Sequence, residues 1–201
     1  MTVAFLEDNV LVKDDVDVVD TDAMLMVRVQ AGDLDAFGDL IARHKNGVVN
    51  YMTHMTRDRG AAEDLAQEAF LRLYQKSSYY KESGQLVPYL LRIATNLLRS
   101  QQRRAKRWRE LVGLVDSNSR RCEPTPQKEA LSNEATEQVG IALSQLPARY
   151  RAPLVLREIE GLSYREIATV LSCREGTVKS RINRGREHLR VLLTPYWKGE
   201  F

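Results

Sequence analysis

With 201 residues and 43% hydrophobic side chains, the chain can bury one large core or two small ones, and scarce proline, glycine and β-branched alternation point to an all-α fold. A net charge of +3 excludes a general coat for polyanions, yet the charge is sorted: residues 1–22 hold seven acids (Glu7, Asp8, Asp14, Asp15, Asp17, Asp20, Asp22) against Lys13, whereas Arg99 to Arg109 hold six basic residues and no acid. Two cysteines, Cys122 and Cys173, are too few and too far apart for a zinc site or a disulfide framework, and without an 18-residue apolar run or a basic secretion leader the expectation is a soluble cytoplasmic protein with no membrane insertion.

Residues 1–22 read as an acidic extension expected to be disordered, with masking of the chain's own basic surface as the alternative. "TDAMLMVRVQAG" then gives a short helix capped by Thr21 or Asp22 and stopped near Gly32. In "DLDAFGDLIARHKNGVVNYMTHMT", Phe37, Leu40, Ile41, Val48, Tyr51, Met52 and Met55 recur at helical spacing, and "RDRG" closes that helix. A third helix, "AAEDLAQEAFLRLYQK", buries Leu65, Ala69, Phe70 and Leu73 and leaves Glu63, Asp64, Gln67 and Glu68 off the apolar stripe. Two readings of those acids stand level: each stabilises the helix by ~0.3–1 kcal/mol against its dipole, or together they form a docking face for a basic partner.

"SSYYKESGQL" is a polar loop with adjacent tyrosines, and Pro88 falls in the first turn of a fourth helix, "VPYLLRIATNLLRSQQRRAKRWR". Leu90, Leu91, Ile93, Ala94, Leu97 and Leu98 make its buried side, while Arg92, Asn96, Arg99, Arg103 and Arg104 form a polar stripe leading away from the tyrosines. Aromatics at the mouth of a basic helix suit single-stranded nucleic acid, whose bases stack and whose phosphates follow arginines. The competing reading is half-buried Tyr79, Tyr80 and Tyr89 beside a solvated helix end.

Periodicity fades from Gly113 to Glu134, where "DSNSRRCEPTPQKE" with Pro124 and Pro126 reads as a linker. Helices resume in "NEATEQVGIALSQLPARYRAPLVLREIEG", interrupted at Pro147 and closed near Gly161. In "LSYREIATVLSCREGTVKSRINRGREHLR", Ser163 and Glu166 form a capping box, Ile167, Ala168 and Leu171 make one apolar stripe, and Val178, Ile182 and Leu189 make another. "SCREG" interrupts the two, and Ser172-x-x-Glu175 offers a second capping signal. Two helices joined by a short turn and crossing steeply, the second carrying Arg174, Lys179, Ser180, Arg181, Asn183, Arg184 and Arg186, follow the helix-turn-helix plan for reading a DNA major groove. A helical hairpin with a solvated basic face is the plainer alternative.

Three stretches in order, "AAEDLAQEAFLRLY", "VPYLLRIATNLLRSQQRR" and "LPARYRAPLVLREIEGLSYREIATVLSCREGTVKSRINRGREHLR", give the chain from about Ala23 to Leu193 a resemblance to the extracytoplasmic-function (ECF) class of sigma-70-type RNA polymerase sigma factors. The resemblance implies two helical domains joined by a flexible linker: a sigma-2 domain over 23–112, the linker over 113–134 and a sigma-4 domain over 135–201. It implies docking of Asp64, Gln67 and Glu68 on the polymerase β′ coiled coil, with further contacts to β. It assigns Tyr80, Asn96, Arg92, Arg99, Arg103 and Arg104 to the −10 element, with Asn96 and Tyr80 holding a base flipped from the non-template strand. It assigns Arg174, Thr177, Lys179, Ser180, Arg181, Arg184 and Arg186 to the −35 duplex. Control by an anti-sigma factor is implied as well. Tyr89 stands where the family commonly has a loop-anchoring tryptophan, and Pro88 departs from its usual small or polar residue, both pointing to a shifted −10 preference.

Other classes fit less of the chain. A regulator of the LuxR type would share the C-terminal helix-turn-helix, but the N-terminal half lacks the alternating strands and helices of a receiver domain. His44, His54 and His188 form no metal or catalytic spacing, and no phosphate loop or nucleophile elbow occurs, so neither an enzyme nor a cofactor is expected. A pure interaction adaptor leaves the basic second helix without a task.

Overall fold

The computed structural model describes residues 21–81, 85–112 and 134–197, and in them every regular element is helical. The acidic residues 1–20, the centre of the tyrosine loop (82–84) and nearly all of the expected linker, with Cys122, lie outside the described residues. The elements are α1 (Asp22–Gln30), α2 (Leu34–Thr56), α3 (Arg59–Gln75), a 3-10 turn (Ser77–Tyr79), α4 (Leu86–Leu111), α5 (Glu134–Gln145), α6 (Ala148–Leu154), α7 (Tyr164–Leu171) and α8 (Glu175–Trp197).

The starts and stops of α1 to α3 follow from local chemistry. Thr21 caps α1 by accepting from the Met24 amide, and Asp33 caps α2 by accepting from Asp35 and Ala36. Arg57 ends α2 in the left-handed region at φ 63°, after which Asp58 caps α3 through the Ala61 amide. The three helices and the first half of α4 bury Leu25, Met26, Leu40, Tyr51, Met52, Leu65, Leu73, Leu90 and Leu91 against one another. Inside this core the Tyr51 hydroxyl lies 3.2 Å from Thr95 Oγ1, which also donates to the Leu91 carbonyl. Complete burial pushes the Tyr51 phenol up to about 12.

α4 changes character half-way. Up to Leu98 it is packed, whereas residues 101–112 are exposed on every side and carry Arg103, Arg104, Lys106, Arg107 and Arg109 around an exposed Trp108. In the second domain, α6 contains Pro153 and widens into a π turn over Val155–Ile159, closed by the Glu160 amide on the Val155 carbonyl. α8 crosses α6 closely at Gly185, where a Cβ would stand 2.6 Å from Leu154 Cδ1.

Candidate nucleic-acid interface

The helix-turn-helix is built by caps at both ends of α7. Ser163 Oγ accepts from the Glu166 amide at 3.3 Å while the Glu166 carboxylate accepts from the Ser163 amide at 2.7 Å, completing the expected capping box. The expected second box does not form. Ser172 is the left-handed C-cap of α7, with φ 53° and ψ 52°, and α8 opens instead at Arg174, whose carbonyl accepts from the Thr177 and Val178 amides. A turn this tight needs a left-handed residue directly after α7, which removes Ser172 from the extended geometry an N-cap requires. Ile167, Val170 and Leu171 then meet Val178 and Ile182 in the buried crossing.

With Val178, Ile182 and Gly185 facing inward, helical spacing turns Ser180, Asn183 and Arg184 directly outward, and all three are exposed. Arg174 and Lys179 are exposed at their flank, and Thr177 and Arg181 are half-buried. Lys179 sits 5.7 Å from the centre of the Tyr164 ring and 3.4 Å from Glu175. Arg186, two turns beyond Lys179 on the same flank, donates to Glu158 from two nitrogens at 2.6 and 3.2 Å, a contact that raises the guanidinium further. Asn183, outside the expected −35 set, shares the outward face. Its position was legible from the apolar spacing of α8, since it stands opposite the buried residues.

On α4, Arg92, Asn96, Arg103 and Arg104 are exposed, as the expected stripe requires. Arg99 is not free on that stripe: it is half-buried and donates to the Leu171 carbonyl at the end of α7, at 3.3 Å. The tyrosines divide. Tyr80 is only 8% exposed and packs 5.2 Å from the Tyr89 ring, whereas Tyr79 is 84% exposed. Gln30 of α1 fixes this difference by donating to the carbonyls of both Ser77 and Tyr80 at 2.9 Å. Sequence reasoning weighed Tyr79 with Tyr80 and Tyr89 but assigned Tyr80 to the −10 element and passed over Trp108, because a single-turn 3-10 helix and an unpacked helix end leave no periodic signal.

The acidic face of α3 is a third surface. Asp64 and Gln67 are exposed and align with exposed Leu71, while Glu68 is half-buried and paired with Arg72 at 2.8 Å. Gln67 and Leu71 also border an apolar groove of about 280 Å³ lined by Phe37, Ile41 and Phe70.

These surfaces lie on two domains held together by polar clasps at helix ends. Arg151, 6% exposed, donates to the Met55 carbonyl at the end of α2 and to the Ser144 carbonyl at the end of α5. Each accepts a positive charge because the last carbonyls of a helix have no partner within it. Burial draws the Arg151 guanidinium down to about 10, with help from Arg57. Burial and Arg151 together hold half-buried His54 below its usual value. Across the same seam Asn50 donates to Glu160 at 3.1 Å, and Gly47 lets that carboxylate lie close against α2. Burial raises Glu160, and the Asn50 bond partly offsets the rise. Among the described residues no cluster of histidine, cysteine, aspartate or glutamate has the makings of a metal site, and no helix is long and apolar enough to cross a membrane.

Comparison with known proteins matches the two halves separately, to sigma-70 region 2 over residues 40–108 and to sigma-70 region 4 over residues 137–189. The RNA polymerase sigma-H factor of Pseudomonas aeruginosa is 32% identical over 87% of this chain and 94% of its own length. The chain belongs to the ECF class of the sigma-70 family of RNA polymerase sigma factors. The ECF sigma-E factor of Haemophilus influenzae is 34% identical over 87% of this sigma factor and 96% of its own length. The structure of the sigma factor RpoE in complex with the anti-sigma factor NepR from Bartonella quintana superposes with a TM-score of 0.67 at 25% identity, covering 79% of this sigma factor and 96% of that chain. Two helical domains carrying regions 2 and 4 are thus the architecture of this transcription initiation factor.

Proposed function

We propose that this sigma factor binds core RNA polymerase through the Asp64, Gln67 and Glu68 face of α3, reads the −35 element as duplex with α8 and captures the −10 element as a single strand along α4. The domains divide as 23–112 for core docking and −10 capture, and 135–201 for −35 recognition. The observation that carries the reading is the outward face of α8, where Ser180, Asn183 and Arg184 stand exposed opposite the helix-turn-helix core. Arginine and asparagine there have the donors and acceptors to read base edges, and Arg174 and Lys179 at the flank suit phosphates.

On α4, Asn96 offers an amide to the edge of an extruded base, and Arg92, Arg103 and Arg104 follow the phosphates. Flipping a base costs a few kcal/mol of stacking, which an accessible aromatic and a hydrogen-bonding amide partly restore. Tyr79 has the exposure for stacking, whereas Tyr80 is buried against the Tyr89 ring. Melting then needs no ATP, because capture of a breathing strand supplies the free energy. Each domain alone binds weakly, and joint tethering to polymerase makes the pair effective. The factor itself performs no catalysis and works in the cytoplasm beside the polymerase.

An anti-sigma factor is the regulator this reading expects, supported by the similarity to a sigma factor solved with one. Closure of the two domains is compatible with that regulation, since it ties Arg99 to Leu171 and away from DNA.

Two variants separate the roles. Asp64→Lys with Glu68→Lys is expected to weaken binding to core polymerase at least tenfold, about 1.4 kcal/mol, while duplex binding by the isolated factor is retained. Asn96→Ala is expected to leave core binding intact and to slow open-complex formation, followed by permanganate reactivity of the −10 thymines, at least tenfold. Equal loss of both activities in Asn96→Ala, or normal core binding in the double lysine variant, contradicts the corresponding assignment.

A further inference from the structure

α4 keeps an apolar stripe after its packing ends. Ala94 and Leu97 are buried, and the same face runs on at helical spacing through Ala105, Trp108, Leu111 and Val112, all of them exposed. Trp108 is 67% exposed, and its ring takes part in none of the aromatic or cation contacts among the described residues. Contiguous apolar side chains left in water at a helix end mark a surface that a partner covers.

The surrounding charge says what kind of partner. At about 100° per residue, Arg107 and Arg109 flank Trp108 on either side, and Arg104 stands one turn before it. None of these three arginines has a carboxylate partner among the described residues. Glu110, the one acid between residues 99 and 112, falls on the opposite face and lies 3.8 Å from Lys106. An open aromatic ring among unpaired guanidiniums matches the two surfaces of single-stranded DNA, flat bases and phosphates. A duplex keeps its base faces stacked inside along its length and offers the ring nothing flat to cover.

Trp108 does not stand on the Asn96 line. Asn96, Arg103 and Arg107 share one line along α4, whereas Trp108 lies about a third of a turn round the helix from Asn96 and roughly 18 Å further along it. Arg104 stands between the two lines.

We propose that the free end of α4 carries a second single-strand site, separate from the Asn96 line, in which an unpaired DNA base stacks on Trp108 while Arg104, Arg107 and Arg109 hold the neighbouring phosphates. Its place in promoter opening rests on the reading of α4 as a single-strand path, but the stacking itself does not. Melting exposes bases on both strands, and a second platform a third of a turn away keeps them from pairing again.

Tryptophan emission reads this contact directly. In the full chain carrying Trp197→Phe, Trp108 is the sole tryptophan. The probe is oligodeoxyadenylate at low salt, alone or annealed to oligodeoxythymidylate, with binding followed independently by anisotropy of a labelled strand. The single strand is expected to quench Trp108 emission at least about twofold and the duplex to leave it nearly unchanged, as stacking on an unpaired base requires. Trp108→Leu keeps apolar area but loses the flat ring, and should weaken single-strand binding at least about fivefold, the low end for one stacked base. Trp108→Phe should restore most of that loss, and neither variant should alter duplex binding. Asn96→Ala should leave the quenching in place. A strand that binds, is weakened by Asn96→Ala and leaves Trp108 emission unchanged overturns the proposal while the −10 reading stands. Equal quenching by duplex, or full affinity in Trp108→Leu, overturns it as well. Absence of any single-strand binding removes this site and the −10 reading together.

Discussion

Arg151→Ala is expected to lower the free energy of unfolding by about 3 kcal/mol, from two carbonyls left without donors at ~1–3 kcal/mol each and from the cavity that remains. The two carbonyls are those of Met55 and Ser144, at the ends of helices belonging to different domains. In a chain of this size the loss corresponds to a fall in melting temperature of roughly 6–12 °C. Arg151→Met refills most of the volume and removes a charge whose burial is itself costly, as its lowered value of about 10 attests. Its loss should therefore be smaller than that of alanine. A thermal melt of the three proteins checks the order, and a change below about 1 kcal/mol in the alanine variant would show that the clasp is dispensable.

Gly185→Ala should destabilise the helix-turn-helix domain although alanine is the better helix former by ~1 kcal/mol. The new methyl would stand 2.6 Å from Leu154 Cδ1, 3.1 Å from its Cγ and 3.3 Å from the Tyr150 carbonyl. Leu154 is 1% exposed and has nowhere to retreat. Overpacking of this kind costs ~1–3 kcal/mol, so after the gain in helix propensity the net effect is a loss of up to about 2 kcal/mol. Gly38→Ala provides the opposite sign. It lies in α2 with nothing within 4 Å of the added methyl, and a gain of up to ~1 kcal/mol is expected. Denaturant titrations of both variants should separate in opposite directions from the parent.

The helical architecture was legible because amphipathic spacing and caps agree along most of the chain. Leu65, Ala69, Phe70 and Leu73 are buried in α3 as their spacing requires, and the Ser163–Glu166 box closes as written. The residues facing outward on α8 followed from the same periodicity. What sequence did not carry was non-local. Arg151 reads as one more arginine in "LPARYRAPLV", yet it is buried because two helix ends from distant parts of the chain converge on it. Arg99 reads as part of a DNA-facing stripe, yet the end of α7, about seventy residues on, supplies its acceptor. Ser172 has the composition of an N-cap, and only the angle between α7 and α8 turns it into a C-cap. Adjacent Tyr79 and Tyr80 differ in exposure tenfold because Gln30 holds the turn between them.

The central claim is that this chain redirects RNA polymerase, and run-off transcription tests it most directly. Bacterial core polymerase would be incubated with a pool of genomic fragments, with and without the protein, and the 5′ ends of the transcripts sequenced. New starts sharing a −35 and a −10 sequence at fixed spacing are the predicted result. Unchanged starts, with duplex binding by the isolated protein demonstrated, would contradict the account and leave an autonomous DNA-binding regulator in its place.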